Sequence, residues 1–240
     1  ITIIDLFPFA LMIRAISPPL YWTFIGLNIT PFKTFVDVFF TSVNFSVLIC
    51  VLYSKDKYTT MLSKAVTVQN ISPEKESDFD SLAFFQFNDF LKNSFPLADS
   101  LLEKKRFNHF SHLYKWTGSD PSLKPVILMA HLDVVPVIAE NLTDWKQPPF
   151  EGKIVNDTLW GRGTIDNKIG VIGLLEATEA LLSNGFQPKR TLYLSFGHDE
   201  EIGGLKGAKV IVEHLKAQGI EAQFVLDEGG TISQNIIPGI

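Results

Sequence analysis

Six residues in four short motifs carry the side chains that can do chemistry in this chain. They are His131 and Asp133 in VILMAHLD, Asp166 in GRGTIDNK, Glu200 and Glu201 in LSFGHDEE, and Asp227 in FVLDEGG. Imidazole with carboxylates and no thiolate is a donor set for zinc, manganese or cobalt. A carboxylate has two oxygens and can bridge two ions. Two ions about 3.5 Å apart can hold a water and a substrate carbonyl together. A further carboxylate beside that water would serve as a general base. Glu200 and Glu201 are neighbours whose side chains diverge, so one can bind metal while the other faces the water. Singly, each motif is weak. A lone His-x-Asp is ordinarily a hydrogen-bonded turn, an acidic triplet is ordinarily a solvated loop, and GRG is ordinarily a tight turn. Their joint signal lies in where they fall along the chain.

Short apolar runs at 126–130, 191–196 and 223–226 read as buried strands, and the partly alternating aromatic run 107–116 reads as another. Helices are expected over 81–94, 167–184 and 205–218. Asp80 or Ser81 would cap the first. Leu82, Phe84, Phe85, Phe87 and Leu91 would form its apolar surface, and Pro96 would close it. Gly185 and Gly219 would stop the other two. The tetrad Gly118-Ser119-Asp120-Pro121 is a turn signal. Strands alternating with helices imply an α/β fold: a mostly parallel sheet with helices on both faces. Ligand sites in such sheets lie beyond the carboxyl ends of the strands. His131, Glu200, Glu201 and Asp227 all fall there, and Asp166 falls at a helix start, where negative charge is favoured. The motifs are therefore expected to converge.

A formal charge of −5 and the lack of a basic stripe exclude a nucleic-acid partner. Cys50 is the single cysteine, so an intrachain disulfide framework is excluded. Residues 1–53 differ from the rest. They hold two apolar runs, 1–13 and 35–53, the second of roughly transmembrane length but containing Asp37 and Asn44. They read as an apolar leader, a signal-anchor or a mispredicted exon, with membrane association as one expectation. Sequons at Asn70, Asn141 and Asn156 fit a secretory route, secreted or membrane-anchored.

The motifs together resemble the zinc metallopeptidase family that contains carboxypeptidase S, aminoacylase and glutamate carboxypeptidase. The resemblance runs from about Ser119 to Gly230, more weakly back to about Tyr58. It rests on HLDVVP, the W..PPFEG segment (Trp145, Pro148, Pro149, Phe150, Gly152), LWGRGTIDNK, GHDEE and DEGG. The last two, with SDPSLKP before the first strand, look most like the carboxypeptidase S and N-fatty-acyl-amino-acid synthase/hydrolase branch. The resemblance implies a di-zinc catalytic domain. In it His131 and Asp227 bind one zinc, Asp166 bridges both ions, Glu201 binds the second, Glu200 is the general base acting on a metal-bound hydroxide, and Asp133 orients His131. It also implies a cis peptide at Asp166-Asn167.

Family members are roughly twice as long, with a lid domain after the DEGG strand and a last histidine ligand near their C-terminus. Residues 54–240 are thus expected to be the N-terminal part of the catalytic domain, and the second zinc to lack one ligand within this chain. The expected substrate is a peptide or an N-acyl amino acid, and a homodimer through the lid is a further expectation. The other reading is a truncated, non-catalytic, membrane-tethered remnant that binds metal or a partner. His109, His112 and His214 are read as surface or strand-face residues. Trp145 and Phe150 are read as packing a loop over the sheet edge.

Overall fold

The computed structural model describes residues 56–73 and 75–228. The apolar runs 1–13 and 35–53, and the leader or anchor read into them, lie outside the described residues, as do the glycines of DEGG. Among the described residues no helix is long and apolar enough to cross a membrane.

In chain order the helices and strands are α1 through residues 56–67, α2 Ser81–Ser94, α3 Pro96–Leu101, β1 Glu103–Phe107, β2 Ser111–Trp116, β3 Val126–His131, β4 Ile154–Val155, β5 Thr158–Leu159, α4 Lys168–Ser183, β6 Leu192–Gly197, α5 Ala208–Ala217 and β7 Phe224–Leu226. The main sheet has the order β1-β2-β6-β3-β7. Its centre is parallel: β3 pairs with β6 on one side, His131 opposite Gly197, and with β7 on the other, Leu128 opposite Leu226. The hairpin β1–β2 is added antiparallel along β6. The parallel strands therefore end on one edge, and the four motifs follow them there.

Period-two alternation gives the sheet two apolar faces. Leu128, Ala130, Leu194, Phe196, Tyr114 and Trp116 pack with α1, α2 and α4, where Phe87, Leu91, Val171 and Leu175 are buried. Ile127, Tyr193, Leu113 and Phe107 pack on the other face with Ile211 and Leu215 of α5. Helix α4 approaches the sheet closely: a Cβ at Gly170 would stand 3.1 Å from the Ala130 Cβ and 2.4 Å from Asn167 Oδ1. Leu175 is fully buried in the larger core. Leu175→Ala is expected to cost about 2–5 kcal/mol of stability, because the cavity adds to the lost transfer free energy. Denaturant titration of the whole protein checks this.

Local signals held where a side chain makes the cap. The Asp80 carboxylate accepts from Leu82 N at 2.9 Å and Ala83 N at 3.3 Å, starting α2. The Asn167 side chain caps α4, and Gly185 and Gly219 take positive φ of 69° and 70° just past α4 and α5. Three expectations change. The 107–116 run is not one strand but the end of a hairpin, with Asn108 and His109 at positive φ in its turn. Pro96 does not merely close α2; it is the first residue of α3. Leu82 and Phe85 are exposed, at 62% and 41%, since only one stripe of α2 faces the core. Of the two readings for His112 the strand face holds: it lies in β2, wholly buried, with Nε2 against Asn88 Oδ1 at 2.5 Å. Burial first, then nearby cations, hold its pKa well below the usual value. Trp145 carries the Arg162 guanidinium on its ring face, 5.4 Å from the centroid.

Candidate metal centre

His131 is the last residue of β3 and is 2% exposed. Its Nδ1 faces two acceptors, the Asp133 carbonyl at 3.0 Å and Asp133 Oδ1 at 3.3 Å. Both accept, so Nδ1 carries a proton and Nε2 is the atom turned toward the motifs. Around Nε2 lie Asp166 Oδ1 at 2.9 Å, Glu228 Oε1 at 3.0 Å and Glu200 Oε2 at 3.8 Å. Two triads are close enough to share an ion: His131 with Glu200 and Glu201, and His131 with Asp166 and Glu228.

Asp133 is fully buried and acts as a hub. Its Oδ1 accepts from the Glu200 amide and its Oδ2 from the Glu201 amide, each at 3.1 Å. Those amides head the 3-10 turn Glu200–Ile202 that follows β6. One carboxylate thus ties the β3 loop to the β6 loop. Burial pushes the Asp133 carboxyl up, but the hydrogen bonds from His131, Ser72 and the Glu201 amide outweigh it and hold it below the usual range. Asp166 sits just before the cap of α4, 61% exposed, and the Asp166-Asn167 peptide is cis.

Burial pulls the His131 pKa down, but hydrogen bonds and charge from Asp133 and Glu228 reverse this and carry it up to about 11. Burial first and the carboxylates of Asp166, Asp133 and Glu200 next push Glu201 up to about 7. Glu200 is raised by burial, then by Glu228, Asp133 and Asp166, against the opposing pull of His131. A cation held among these carboxylates, or a proton shared between them, would relieve their repulsion. An all-oxygen set with one oriented imidazole fits a zinc-like dication, which would take the place of the Nε2 proton. It would also undo the mutual repulsion that raises Glu201.

Of the six residues singled out in the sequence, His131, Asp133, Asp166, Glu200 and Glu201 come together. Asp227 lies outside both triads, its Oδ1 accepting from the Glu228 amide at 2.9 Å. Glu228, a residue the motif reading passed over, has its Oε1 3.0 Å from His131 Nε2. The signal was present as the DE pair that follows β7, but which carboxylate reaches Nε2 is set by the bend at Glu228, beyond the last strand residue Leu226.

Parallel strands that deliver one imidazole and several carboxylates to a common edge define an α/β domain built around a metal centre. Residues 127–240 match the sequence profile of peptidase family M20/M25/M40, and the chain carries a domain of that family. It is 39% identical to a probable carboxypeptidase S-like protein of Dictyostelium discoideum over 203 residues, 82% of this chain and 41% of that protein. It is 41% identical to the N-fatty-acyl-amino acid synthase/hydrolase PM20D1 of Xenopus tropicalis over 181 residues, 75% of this chain and 35% of that protein. The chain thus spans well under half the length of these relatives. Among solved structures the fold is similar to the M20 family metallo-carboxypeptidase Sso-CP2 of Sulfolobus solfataricus, with a TM-score of 0.57 and 21% identity over 72% of this chain and 37% of that one. It is also similar to the di-peptidase Dug1p of Saccharomyces cerevisiae, with a TM-score of 0.58 and 23% identity over 79% of this chain and 41% of that one.

Proposed function

We propose that the protein is a zinc-dependent hydrolase of amide bonds, acting on N-acyl amino acids or on peptides next to a free carboxylate. The observation that carries this is the convergence of Asp166, Glu200, Glu201 and Glu228 around the single Nε2 of His131. The names of the relatives supply the substrate class: carboxypeptidase S-like proteins and N-fatty-acyl-amino acid synthase/hydrolases. In this reading residues 54–240 contribute the N-terminal part of the catalytic domain, and residues 1–53 a leader or anchor for the secretory route.

His131, Asp166, Glu201 and one of the Asp227–Glu228 pair would hold two zinc ions. Bound zinc supplies a Lewis acid for the scissile carbonyl and lowers the pKa of water. Glu200 takes a proton from the attacking water and delivers it to the leaving nitrogen, so amide and water become carboxylic acid and amine. Its raised pKa suits that task, since a base is most effective with a pKa near the working pH. Asp133 holds the His131 ring by Nδ1 and fixes the turn that presents both glutamates. Run in reverse, the same groups join an acyl chain to an amino acid.

The test is zinc analysis of the whole protein together with hydrolysis of N-acyl amino acids and of peptides with a free C-terminus. A protein that holds no zinc and cleaves neither class overturns the proposal. The last carboxylate is assigned by comparing Glu228→Gln with Asp227→Asn. The geometry predicts the larger loss of zinc affinity for Glu228→Gln, measured by calorimetric titration. The reverse order would return the role to Asp227.

A further inference from the structure

Leu132 stands between His131 and Asp133, and both of its backbone polar groups are held from outside the loop. Leu132 N donates to the Gly197 carbonyl at the end of β6, at 2.8 Å. The Leu132 carbonyl accepts from Asn70 Nδ2 at 2.5 Å, across 62 positions of chain. A carbonyl oxygen only accepts, so the Asn70 amide turns its nitrogen and not its oxygen toward Leu132. On the other side of Asp133, Val134 N donates to the Asn70 carbonyl at 3.2 Å. Asn70 thus grips the loop before and after Asp133, once by its side chain and once by its backbone.

Asn70 is fully buried. Just before it, the Val68 and Ala65 carbonyls accept from Lys168 Nζ at 2.6 and 2.8 Å. Lys168 is itself wholly buried and opens α4, two residues past Asp166. The grip is therefore anchored on the helix that follows another of the motif residues. Without Nδ2, the Leu132 carbonyl would be a buried acceptor with its partner removed, which favours turning the Leu132–Asp133 peptide. That turn would displace both acceptors of the His131 Nδ1 proton, the Asp133 carbonyl at 3.0 Å and Asp133 Oδ1 at 3.3 Å. The sequon at Asn70 has its amide committed here, whereas Asn141 and Asn156 are exposed.

We propose that Asn70 is a positioning residue for the metal centre: by holding the Leu132 carbonyl it fixes the Leu132–Asp133 peptide, and so places the two acceptors that orient the His131 ring. This role rests on the metal-site reading above.

The test is a double-mutant cycle on zinc affinity, measured by competition with a chelator in the metal-free whole protein. Asn70→Ala is expected to weaken zinc binding about 3–10-fold, less than the roughly 10–100-fold typical of a direct outer partner of a metal ligand. In a His131→Ala background, with no ring left to orient, the same change is expected to matter by less than about twofold, since coupled residues are non-additive. Thermal unfolding of the metal-free proteins follows the fold separately. Asn70→Asp keeps the side-chain shape but sets an acceptor where Nδ2 donates, and it supplies the cycle if the alanine variant does not fold. Equal factors in both backgrounds, or no loss in the first, overturn the proposal. If the wild-type protein binds no zinc, the metal-site reading fails and this one with it. If it binds and the cycle is additive, only the role of Asn70 falls.

Discussion

Glu200→Gln is expected to lower kcat by about 10²–10⁴, the range for losing a general base, while zinc content and fold remain. The substitution keeps the side chain's shape. It also keeps the backbone amide that donates to Asp133 Oδ1 at 3.1 Å, so the turn presenting Glu201 is undisturbed. What disappears is the ability to accept a proton. Glu200 is also the glutamate with half its side chain open, 53% exposed, as a group that must meet substrate and water should be. Its pKa is raised by burial and by neighbouring carboxylates. Activity carried by its ionised form therefore falls as pH drops through that pKa. Turnover of an N-acyl amino acid by the variant at the wild-type rate would remove Glu200 from the mechanism. Loss of zinc along with activity would instead make Glu200 a ligand.

His131→Ala is expected to weaken zinc binding by more than the roughly 10–100-fold seen when only an outer partner of a ligand is lost. His131 is the one imidazole in both triads. The pH dependence provides a second readout. In the metal-free protein Asp133 and Glu228 hold a proton on this ring with a pKa near 11. Zinc must displace that proton, so apparent affinity is expected to rise with pH across the neutral range, about tenfold per unit for each proton released. Below about 7 the proton on Glu201 adds to the slope. In the alanine variant the His131 contribution vanishes and the slope above pH 7 flattens. A variant with wild-type affinity and an unchanged slope would exclude His131 as a ligand.

Five of the six residues singled out in the motifs lie together in the structure, and Asp227 lies outside both triads. The end of β7 offers two adjacent acids, and nothing in FVLDEGG says which one faces inward. The fold past β7 decides: the chain bends at Glu228, whose Oε1 comes 3.0 Å from His131 Nε2. The same kind of information was missing for the run 107–116, whose aromatic content looked like a single strand. The turn at Asn108 and His109 rests on positive φ, which an Asn tolerates but does not announce.

By itself, the sequence determined the α/β alternation, a first helix cap at Asp80 or Ser81, the glycine stops and the acidic motifs at strand ends. These follow from local rules: periodicity over a few residues, capping by a neighbouring side chain, and the chemistry of each residue type. Only the tertiary structure decided that Asp133 is a buried hub accepting both glutamate amides and that Glu228 stands 3.0 Å from His131. Each of these depends on the register between strands and on contacts across long stretches of chain, and hydrophobic patterning constrains such register without specifying which polar atoms meet.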